Sequence, residues 1–253
     1  MTLQHVLVLG GAGLIGRQIS IDLALAGYIP VIVDSDKEKT LSVQQIIASK
    51  DCHSLSFSAN ILDELSFSST LLNIENTCGQ LVGAINATYP RGPGYGNFFE
   101  NIEYNELCNN VSMQIGGAFL AYKLLSSHFL KYGAGSFVSL GSIYGSLCPR
   151  FSIYDGTSMT TPLEYVIAKS SLLQMSRYYA SAYKKKGIRF NVVSPGGIFD
   201  NQPQSFVDAY NSYAGAKGML SPSDITGAVI FLISDKSNHI TGQDIIVDDG
   251  FSF

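Results

Sequence analysis

Short apolar, β-branched runs alternate along the chain with longer segments of helical periodicity. Strands that are apolar on both faces are typical of a parallel sheet covered by helices on either side. The alternation predicts right-handed crossovers, and hence an α/β fold in which residues 1–253 form a single domain around one doubly wound, seven-stranded parallel sheet. The predicted strands cover residues 6–9, 31–34, 55–58, 81–87, 136–140, 188–193 and 244–247, and the predicted helices cover residues 13–26, 37–49, 63–78, 102–131, 162–186 and 223–234.

Three irregular segments interrupt this alternation. They are residues 89–97, 145–161 and 196–216, and each follows one of the predicted strands. In an open α/β sheet, ligands bind beside the loops that leave the carboxyl ends of the strands. We therefore expect these three segments to form the substrate site.

Composition narrows the class of partner. The formal net charge of −4 argues against nucleic acid or an anionic membrane as the main partner. The four cysteines and four histidines are scattered, so we expect no bound metal and no disulfide framework. The first apolar run, residues 6–9, is too short for a signal sequence or a membrane span. These features predict a cytoplasmic protein that acts on a small molecule.

The first predicted strand leads directly into the glycine-rich turn Gly10-Gly11-Ala12-Gly13-Leu14-Ile15-Gly16. Its glycines have the spacing that allows a tight turn, a close approach of the backbone to a pyrophosphate, and close packing of the following helix. The start of that helix offers free N–H groups and a positive dipole to phosphate. Glycine turns also occur without a ligand, but the strand before and the helix after this one favour a dinucleotide site.

Asp34 ends the second predicted strand, at the distance from the glycine turn that the dinucleotide-binding pattern requires. A carboxylate there accepts hydrogen bonds from the adenosine ribose and repels a 2′-phosphate. The cofactor is therefore predicted to be NAD in preference to NADP. Lys37 is the nearby residue that could favour NADP instead.

Tyr165 and Lys169 lie four residues apart in a predicted helix, and hence on one face of it. A phenol with an ordinary pKa of about 10 exchanges protons poorly at neutral pH. A neighbouring cation favours the phenolate, lowers that pKa and makes the tyrosine a usable acid or base. The same spacing also occurs in surface aromatic–lysine pairs, so the pattern alone leaves both interpretations open.

Further motifs occur in a fixed order around this pair. They are Ile85-Asn86-Ala87, Ser139-Leu140-Gly141-Ser142, Ser194-Pro195-Gly196-Gly197 and residues 241–250. With them the chain resembles the short-chain dehydrogenase/reductase family from end to end. The resemblance implies a Rossmann fold in which Tyr165 is the general acid/base, Lys169 binds the nicotinamide ribose, and Ser142 hydrogen-bonds the substrate oxygen.

The resemblance also implies a set of residues that bind the cofactor. The turn supplies contacts to the pyrophosphate, the second strand holds the adenosine ribose, and the segment after the sixth strand covers the nicotinamide. The implied cofactor-binding residues are Gly10, Gly13, Leu14, Ile15, Asp34, Asn60, Ile61, Asn86, Ala87, Tyr165, Lys169, Pro195, Gly196 and Ile198.

The chain departs from the family pattern at several places. Gln114 stands where an asparagine often completes the catalytic set, and we expect its amide to hold the same water. The glycine turn follows Leu9, and its spacing is similar to that of nucleotide-sugar epimerases. An epimerase or dehydratase with tightly bound NAD, and a catalytically silent NAD-binding sensor, therefore remain alternatives to a dehydrogenase.

The loop segments carry a narrower resemblance. Residues 89–91, 153–160, 196–203 and 247–252 are similar to the flagellin-modification dehydrogenases of bacterial clusters that make legionaminic-acid-type sugars. This similarity implies interconversion of a hydroxyl and a ketone on a phosphorylated, nucleotide-linked or acidic sugar. The candidate substrate residues are Arg91, Tyr144, Arg150, Tyr154 and Asn201.

The two longest predicted helices, residues 102–131 and 162–186, carry small residues on apolar faces. The family resemblance implies a homotetramer or homodimer built from these helices, although packing on the sheet explains the same faces. The apolar C-terminus, Phe251-Ser252-Phe253, is expected at a subunit contact.

Overall fold

The computed structural model describes residues 4–253. All seven predicted strands and all six predicted helices are present, with bounds that shift by a few residues. The strands are β1 (His5–Leu9), β2 (Ile29–Asp34), β3 (Leu55–Ser58), β4 (Leu81–Asn86), β5 (Gly135–Leu140), β6 (Ile188–Pro195) and β7 (Asp244–Val247). The helices are α1 (Leu14–Leu25), α2 (Lys37–Ala48), α3 (Glu64–Cys78), α4 (Tyr104–Tyr132), α5 (Leu163–Tyr183), α6 (Gln204–Asn211) and α7 (Ser223–Ile233).

The strands form one sheet in the order β3-β2-β1-β4-β5-β6-β7, and every neighbouring pair is parallel. This confirms the predicted doubly wound α/β architecture. The order reverses between β1 and β4, which opens a crevice at the carboxyl ends of these two strands. In open α/β sheets this crevice is where ligands bind, so the fold positions the candidate site there.

Apolar layers cover both faces of the sheet. On one face, aromatic side chains of α4 and the central strands pack together, including Tyr122, Phe129, Phe137 and Phe190. On the other face, α1 and α7 pack over the strands through smaller aliphatic side chains such as Ile19. Because both faces are buried, the central strands are apolar throughout, as the sequence pattern indicated.

Helix ends follow from local chemistry. The Asp36 carboxylate accepts a hydrogen bond from the Lys39 amide at 3.0 Å and caps α2. The Asp63 carboxylate accepts from the Leu65 and Ser66 amides at 2.9 and 3.0 Å and caps α3. The 29-residue α4 ends at Gly133, whose left-handed φ of 70° favours glycine.

Candidate active site

A cleft of about 780 Å³ runs along the carboxyl edge of the sheet. It passes the ends of β1, β2, β4, β5 and β6 and reaches the side chains of α6. Each of the three irregular segments contributes lining residues, among them Tyr89, Thr160 and Gly197. The fold thus brings these distant segments together at the crevice where the strand order reverses.

The glycine turn forms one end of the cleft. The Gly10 and Gly11 amides donate to the Val33 carbonyl at 2.8 and 3.2 Å, which fixes the turn against β2. A Cβ at Gly16 would collide with the Gly10 carbonyl, so only glycine allows α1 to start this close to the turn. No side chain caps the first turn of α1, so its N–H groups are free to meet an anion.

Asp34 faces the cleft beside this turn. One carboxylate oxygen accepts from the Ala12 amide and the other from the Asp36 amide, both at 3.2 Å. Neither donor carries a full charge, so the aspartate brings a negative charge to the cleft. Lys37 is exposed and does not line the cleft.

Ser142, Tyr165 and Lys169 line the cleft together. Tyr165 and Lys169 lie one turn apart on α5, and Ser142 follows β5. The Lys169 Nζ atom donates to the Leu140 carbonyl at 2.7 Å and lies 5.5 Å from the centroid of the Tyr165 ring. The Ser142 hydroxyl accepts from the Tyr144 amide at 3.2 Å. The three groups implied by the family resemblance therefore converge at one place.

Burial shifts both titratable groups. It lowers the pKa of Lys169 to about 8, because an ammonium loses hydration there. It raises the pKa of Tyr165, and the neighbouring Ser142 hydroxyl only partly counteracts this. The lowering of the Tyr165 pKa expected from Lys169 is therefore not found, because burial shifts this pKa upward and Lys169 does not contribute to the shift. Lys169 has no part in the ion pairs found within residues 4–253, so its charge is buried without a carboxylate.

Tyr89 packs against Tyr165, the candidate acid/base residue. Its ring meets the Tyr165 ring edge to face, with 5.6 Å between the centroids, and its hydroxyl is hydrogen-bonded to that of Tyr95. The Arg91 guanidinium lies 5.3 Å from the Tyr89 centroid. The loop that carries these residues is anchored to α4, since the Gly92 amide donates to the Asn110 side chain at 2.7 Å.

Gln114 lies on α4, behind the cleft. It is buried, and its Nε2 atom has no hydrogen-bond partner in the described part of the chain. Its side chain lies beside Tyr95, and this neighbour lowers the pKa of Tyr95 against the larger rise that burial causes. Neither Gln114 nor Tyr95 lines the cleft, although Met113, the residue before Gln114, does.

Most of the expected cofactor residues line the cleft. Asn86 is the exception: it is buried, and its side-chain oxygen accepts from the Thr88 amide at 3.2 Å and from the Thr88 hydroxyl at 2.6 Å. It therefore shapes the turn after β4 from behind. The lining members are Gly10, Gly13, Leu14, Ile15, Asp34, Asn60, Ile61, Ala87, Tyr165, Lys169, Pro195, Gly196 and Ile198.

The candidate substrate residues divide into two groups. Arg91, Tyr144 and Tyr154 line the cleft, whereas Arg150 and Asn201 do not. The Arg150 guanidinium turns away to donate to the C-terminal carbonyls, and Asn201 is exposed at a turn with a left-handed φ of 60°. Neither side chain is placed to contact a substrate in the cleft.

The sequence patterns missed α6 and the side chains that it brings to the cleft. Phe206 and Tyr210 line it from this helix, and Met219 follows from the next loop. The sequence carries only a weak signal of this helix, since Phe206 and Tyr210 are four residues apart in a segment with an otherwise irregular pattern.

Residues 4–253 lack the features of a metal site and of a membrane-spanning helix. No group of three histidine, cysteine or acidic side chains is placed to hold a metal ion. In the same residues, no helix has both the length and the apolar character needed to cross a membrane.

This arrangement, in which an acidic residue at the end of β2 and a buried Tyr–Lys pair lie in one cleft, is the kind of site that a nicotinamide-dependent oxidoreductase requires. The chain matches a family model described as enoyl-(acyl carrier protein) reductase over residues 11–252. It belongs to the short-chain dehydrogenase/reductase family and has the Rossmann-type fold of NAD(P)-dependent dehydrogenases.

Individual relatives extend over nearly the whole chain. Post-translational flagellin modification protein A from Campylobacter coli is 29% identical over 249 residues, which are 97% of this chain and 97% of that protein. 3-Oxoacyl-(acyl-carrier-protein) reductase FabG from Staphylococcus aureus is 25% identical over 252 residues, 98% of this chain and 97% of that one. A short-chain dehydrogenase from Leptospira borgpetersenii, solved with bound NAD+, aligns with a TM-score of 0.87 and 27% identity, covering 100% of this chain and 94% of the other.

Proposed function

We propose that the protein is an NAD-dependent dehydrogenase/reductase that interconverts a secondary alcohol and a ketone on a phosphorylated, nucleotide-linked or acidic sugar. The observation that carries the substrate class is the position of Arg91. It lines the cleft beside Tyr89, whose ring touches Tyr165, and no ion pair within residues 4–253 involves it. An anionic substituent bound there would lie close to the reacting hydroxyl.

The residues of the cleft fit a dinucleotide. The turn and the uncapped start of α1 suit a pyrophosphate, Asp34 suits the adenosine ribose, and the buried, unpaired ammonium of Lys169 suits ribose hydroxyls. Residues 195–198 would then cover the nicotinamide. When bound, the nicotinamide accepts or supplies the hydride.

Three side chains of this chain would supply the remaining chemistry. Tyr165 accepts the hydroxyl proton during oxidation and donates it during reduction. The Ser142 hydroxyl donates a hydrogen bond to the substrate oxygen as charge develops on it. Lys169 keeps N–H groups for a ligand besides the one it donates to Leu140. Because burial raises the pKa of Tyr165, the resting protein holds the phenol protonated, as reduction requires.

Gln114 is proposed to take part indirectly. Its unpartnered Nε2 atom is buried next to Tyr95, and the Tyr95 hydroxyl is bonded to that of Tyr89. A water bound to this amide would extend the hydrogen-bonded pair of Tyr89 and Tyr95 hydroxyls, which lies beside Tyr165. In this way the longer glutamine can replace the asparagine of related enzymes.

The choice of NAD over NADP is proposed to depend on the charge of Asp34. An Asp34→Asn variant keeps an oxygen for the Ala12 amide but removes the charge that repels a 2′-phosphate. We expect the ratio of affinities for NADH and NADPH to shift toward NADPH by about tenfold or more, since like charges at a few ångströms cost at least that much. Calorimetric titration with both cofactors measures this ratio, and Lys50→Gln, at an exposed position beyond the end of α2 and outside the cleft, serves as the control.

Arg91→Gln tests the substrate class. Formation of NADH is followed with pairs of sugars that differ only in an anionic substituent, among hexose phosphates, nucleotide sugars and nonulosonic acids. We expect kcat/KM for the anionic sugar of each pair to fall by about ten- to a hundredfold, because a charged hydrogen bond is lost. The kcat/KM for the neutral sugar should stay within about twofold. Arg177→Gln, at an exposed position on α5, is the matched control. Equal losses on both members, or turnover of fatty acyl ketones alone, would contradict a sugar substrate.

The biological setting is proposed from the relatives. The similarity to flagellin modification protein A of Campylobacter coli supports a role in modifying flagellin or another surface glycan. Assembly into a homodimer or homotetramer is supported by exposed aromatic side chains on the two long helices, such as Tyr104 and Tyr178, which are 78% and 70% exposed.

A further inference from the structure

The C-terminal residues fold back into their own chain. The two Asp248 carboxylate oxygens accept hydrogen bonds from the Gly250 amide at 3.0 Å and from the Ser252 amide at 2.9 Å. This turn directs the Phe251 side chain inward, where it is 1% exposed, while Phe253 is 99% exposed. The expectation of a subunit contact is therefore wrong for Phe251, because this side chain is buried in the core of its own chain around the cleft.

Phe251 supports a residue that lines the cleft. Its ring stacks on that of Tyr210 with a centroid distance of 4.1 Å and an angle of 6° between the ring planes. The Tyr210 hydroxyl accepts from the Gly197 amide at 2.7 Å, and the Gly197 carbonyl accepts from the Leu220 amide at 2.8 Å. A Cβ at Gly196 would lie 2.6 Å from that hydroxyl, so Tyr210 is in direct contact with this backbone.

Arg150 holds the outer side of the same stack. Its guanidinium carbon lies 4.6 Å from the centroid of Tyr213 and 5.4 Å from that of Phe251. The same side chain donates to the Phe251 and Phe253 carbonyls, each at 3.4 Å. A planar guanidinium suits such combined stacking and hydrogen bonding better than an ammonium does.

We propose that Arg150 is a positioning residue for the nicotinamide half of the cofactor site, acting through Phe251 and Tyr210 on the Gly197 backbone. Arg150 belongs to the loop after β5 that begins at Ser142, and Gly197 belongs to the segment after β6. The contact thus ties together the two loops that meet at the reacting centre. The inference rests on the proposed placement of the nicotinamide under residues 195–198 and does not depend on which substrate is used.

A comparison of two ligands tests this role. NADH occupies both halves of the cofactor site, whereas ADP-ribose lacks the nicotinamide and occupies the rest. In an Arg150→Met variant we expect the Kd for NADH to rise by about tenfold and the Kd for ADP-ribose to stay within about twofold, because the cation–π contacts of a half-buried guanidinium are lost on one side of the site only. Calorimetry gives both constants. The chain has no tryptophan, so NADH emission also reports binding without energy transfer from indole.

Further variants separate positioning from general damage. Arg177→Met is the matched control and should leave both constants unchanged. Arg150→Lys keeps the charge but loses the planar stack, so it should give an intermediate loss for NADH and remains informative if Arg150→Met folds poorly. Phe251→Leu should weaken NADH binding similarly, and adding Arg150→Met to it should cause little further loss, because both changes interrupt one line of contacts.

Three results would overturn the inference. They are equal weakening of NADH and ADP-ribose, unchanged NADH binding in Arg150→Met, and additive losses in the double variant. Failure of the wild-type protein to bind NADH or NADPH would overturn the cofactor placement itself and, with it, this inference. A wild type that binds NADH but oxidises no sugar would contradict only the proposed substrate class.

Discussion

Tyr165→Phe is expected to lower kcat by about a thousandfold, the usual contribution of a positioned acid/base group. The change removes the only atom proposed to exchange a proton with the substrate, yet it leaves the ring that packs edge to face against Tyr89. The Kd for NADH and the melting temperature should therefore stay close to those of the wild type. Steady-state rates at saturating substrate, together with calorimetric titration of NADH, measure both parts of this prediction.

The matched control is Tyr183→Phe at the end of the same helix, outside the cleft, which should have no effect on turnover. Near-normal turnover in Tyr165→Phe with the cofactor still bound would remove Tyr165 from its proposed role. A loss of turnover accompanied by loss of NADH binding would assign the tyrosine to cofactor binding instead.

Lys169→Met is expected to abolish most activity and at the same time to stabilise the cofactor-free protein. Burial lowers the pKa of this lysine from its ordinary 10.5 to about 8, which corresponds to a penalty on the charged form on the order of 3 kcal/mol. The hydrogen bond to the Leu140 carbonyl offsets about 1 kcal/mol of this. We expect kcat to fall by about a hundredfold or more, while the free energy of unfolding at pH 7 rises by about 2 kcal/mol.

The stabilisation expected from Lys169→Met depends on pH, because the buried amine loses its proton at a lower pH in the folded protein than in the unfolded one. Below pH 8 the buried amine is protonated in both the folded and the unfolded protein, so the full penalty is present. Between pH 8 and 10.5 only the unfolded chain retains the proton, and the stability contributed by this site rises with pH. The advantage of Lys169→Met over wild type should therefore be largest below pH 8 and vanish near pH 10.5.

Urea unfolding across this pH range measures the difference in stability, with Lys184→Met, at the exposed end of α5, as the control. A variant that is less stable than wild type at pH 7 would contradict an unpaired buried charge.

Much of the fold was predictable because burial on both faces of the sheet leaves a strong pattern in the sequence. Continuous apolar runs identified the central strands, and the glycine turn located the start of α1. The pattern failed at α6, since this eight-residue helix lies within a segment rich in turns and follows a proline. Its amphipathic pair, Phe206 and Tyr210, is too short a signal to distinguish a helix from a loop.

The candidate site was predictable where the spacing of a motif determines the positions of its residues. It was not predictable where a long side chain can reach several alternative partners. Ser142, Tyr165 and Lys169 are fixed by strand ends and by one helical turn, so their convergence follows from the fold. Arg150 lies on a loop beside the cleft, yet its guanidinium points away from the cleft. It contacts the Phe251 carbonyl and the aromatic rings of Tyr213 and Phe251. That contact joins residues about a hundred positions apart, and no local pattern in the sequence reports it. The raised pKa of Tyr165 likewise depends on how tightly the cleft is packed.

The most direct test of the central claim is the stoichiometry of a single reaction. Purified protein with NAD and a sugar that it accepts is followed at the absorbance band of the reduced nicotinamide, and the product is identified by mass. A dehydrogenase predicts that one ketone appears for each NADH formed, and that Tyr165→Phe suppresses both together. Interconversion of sugar isomers with NAD still bound and no net formation of NADH would contradict the account and identify an epimerase.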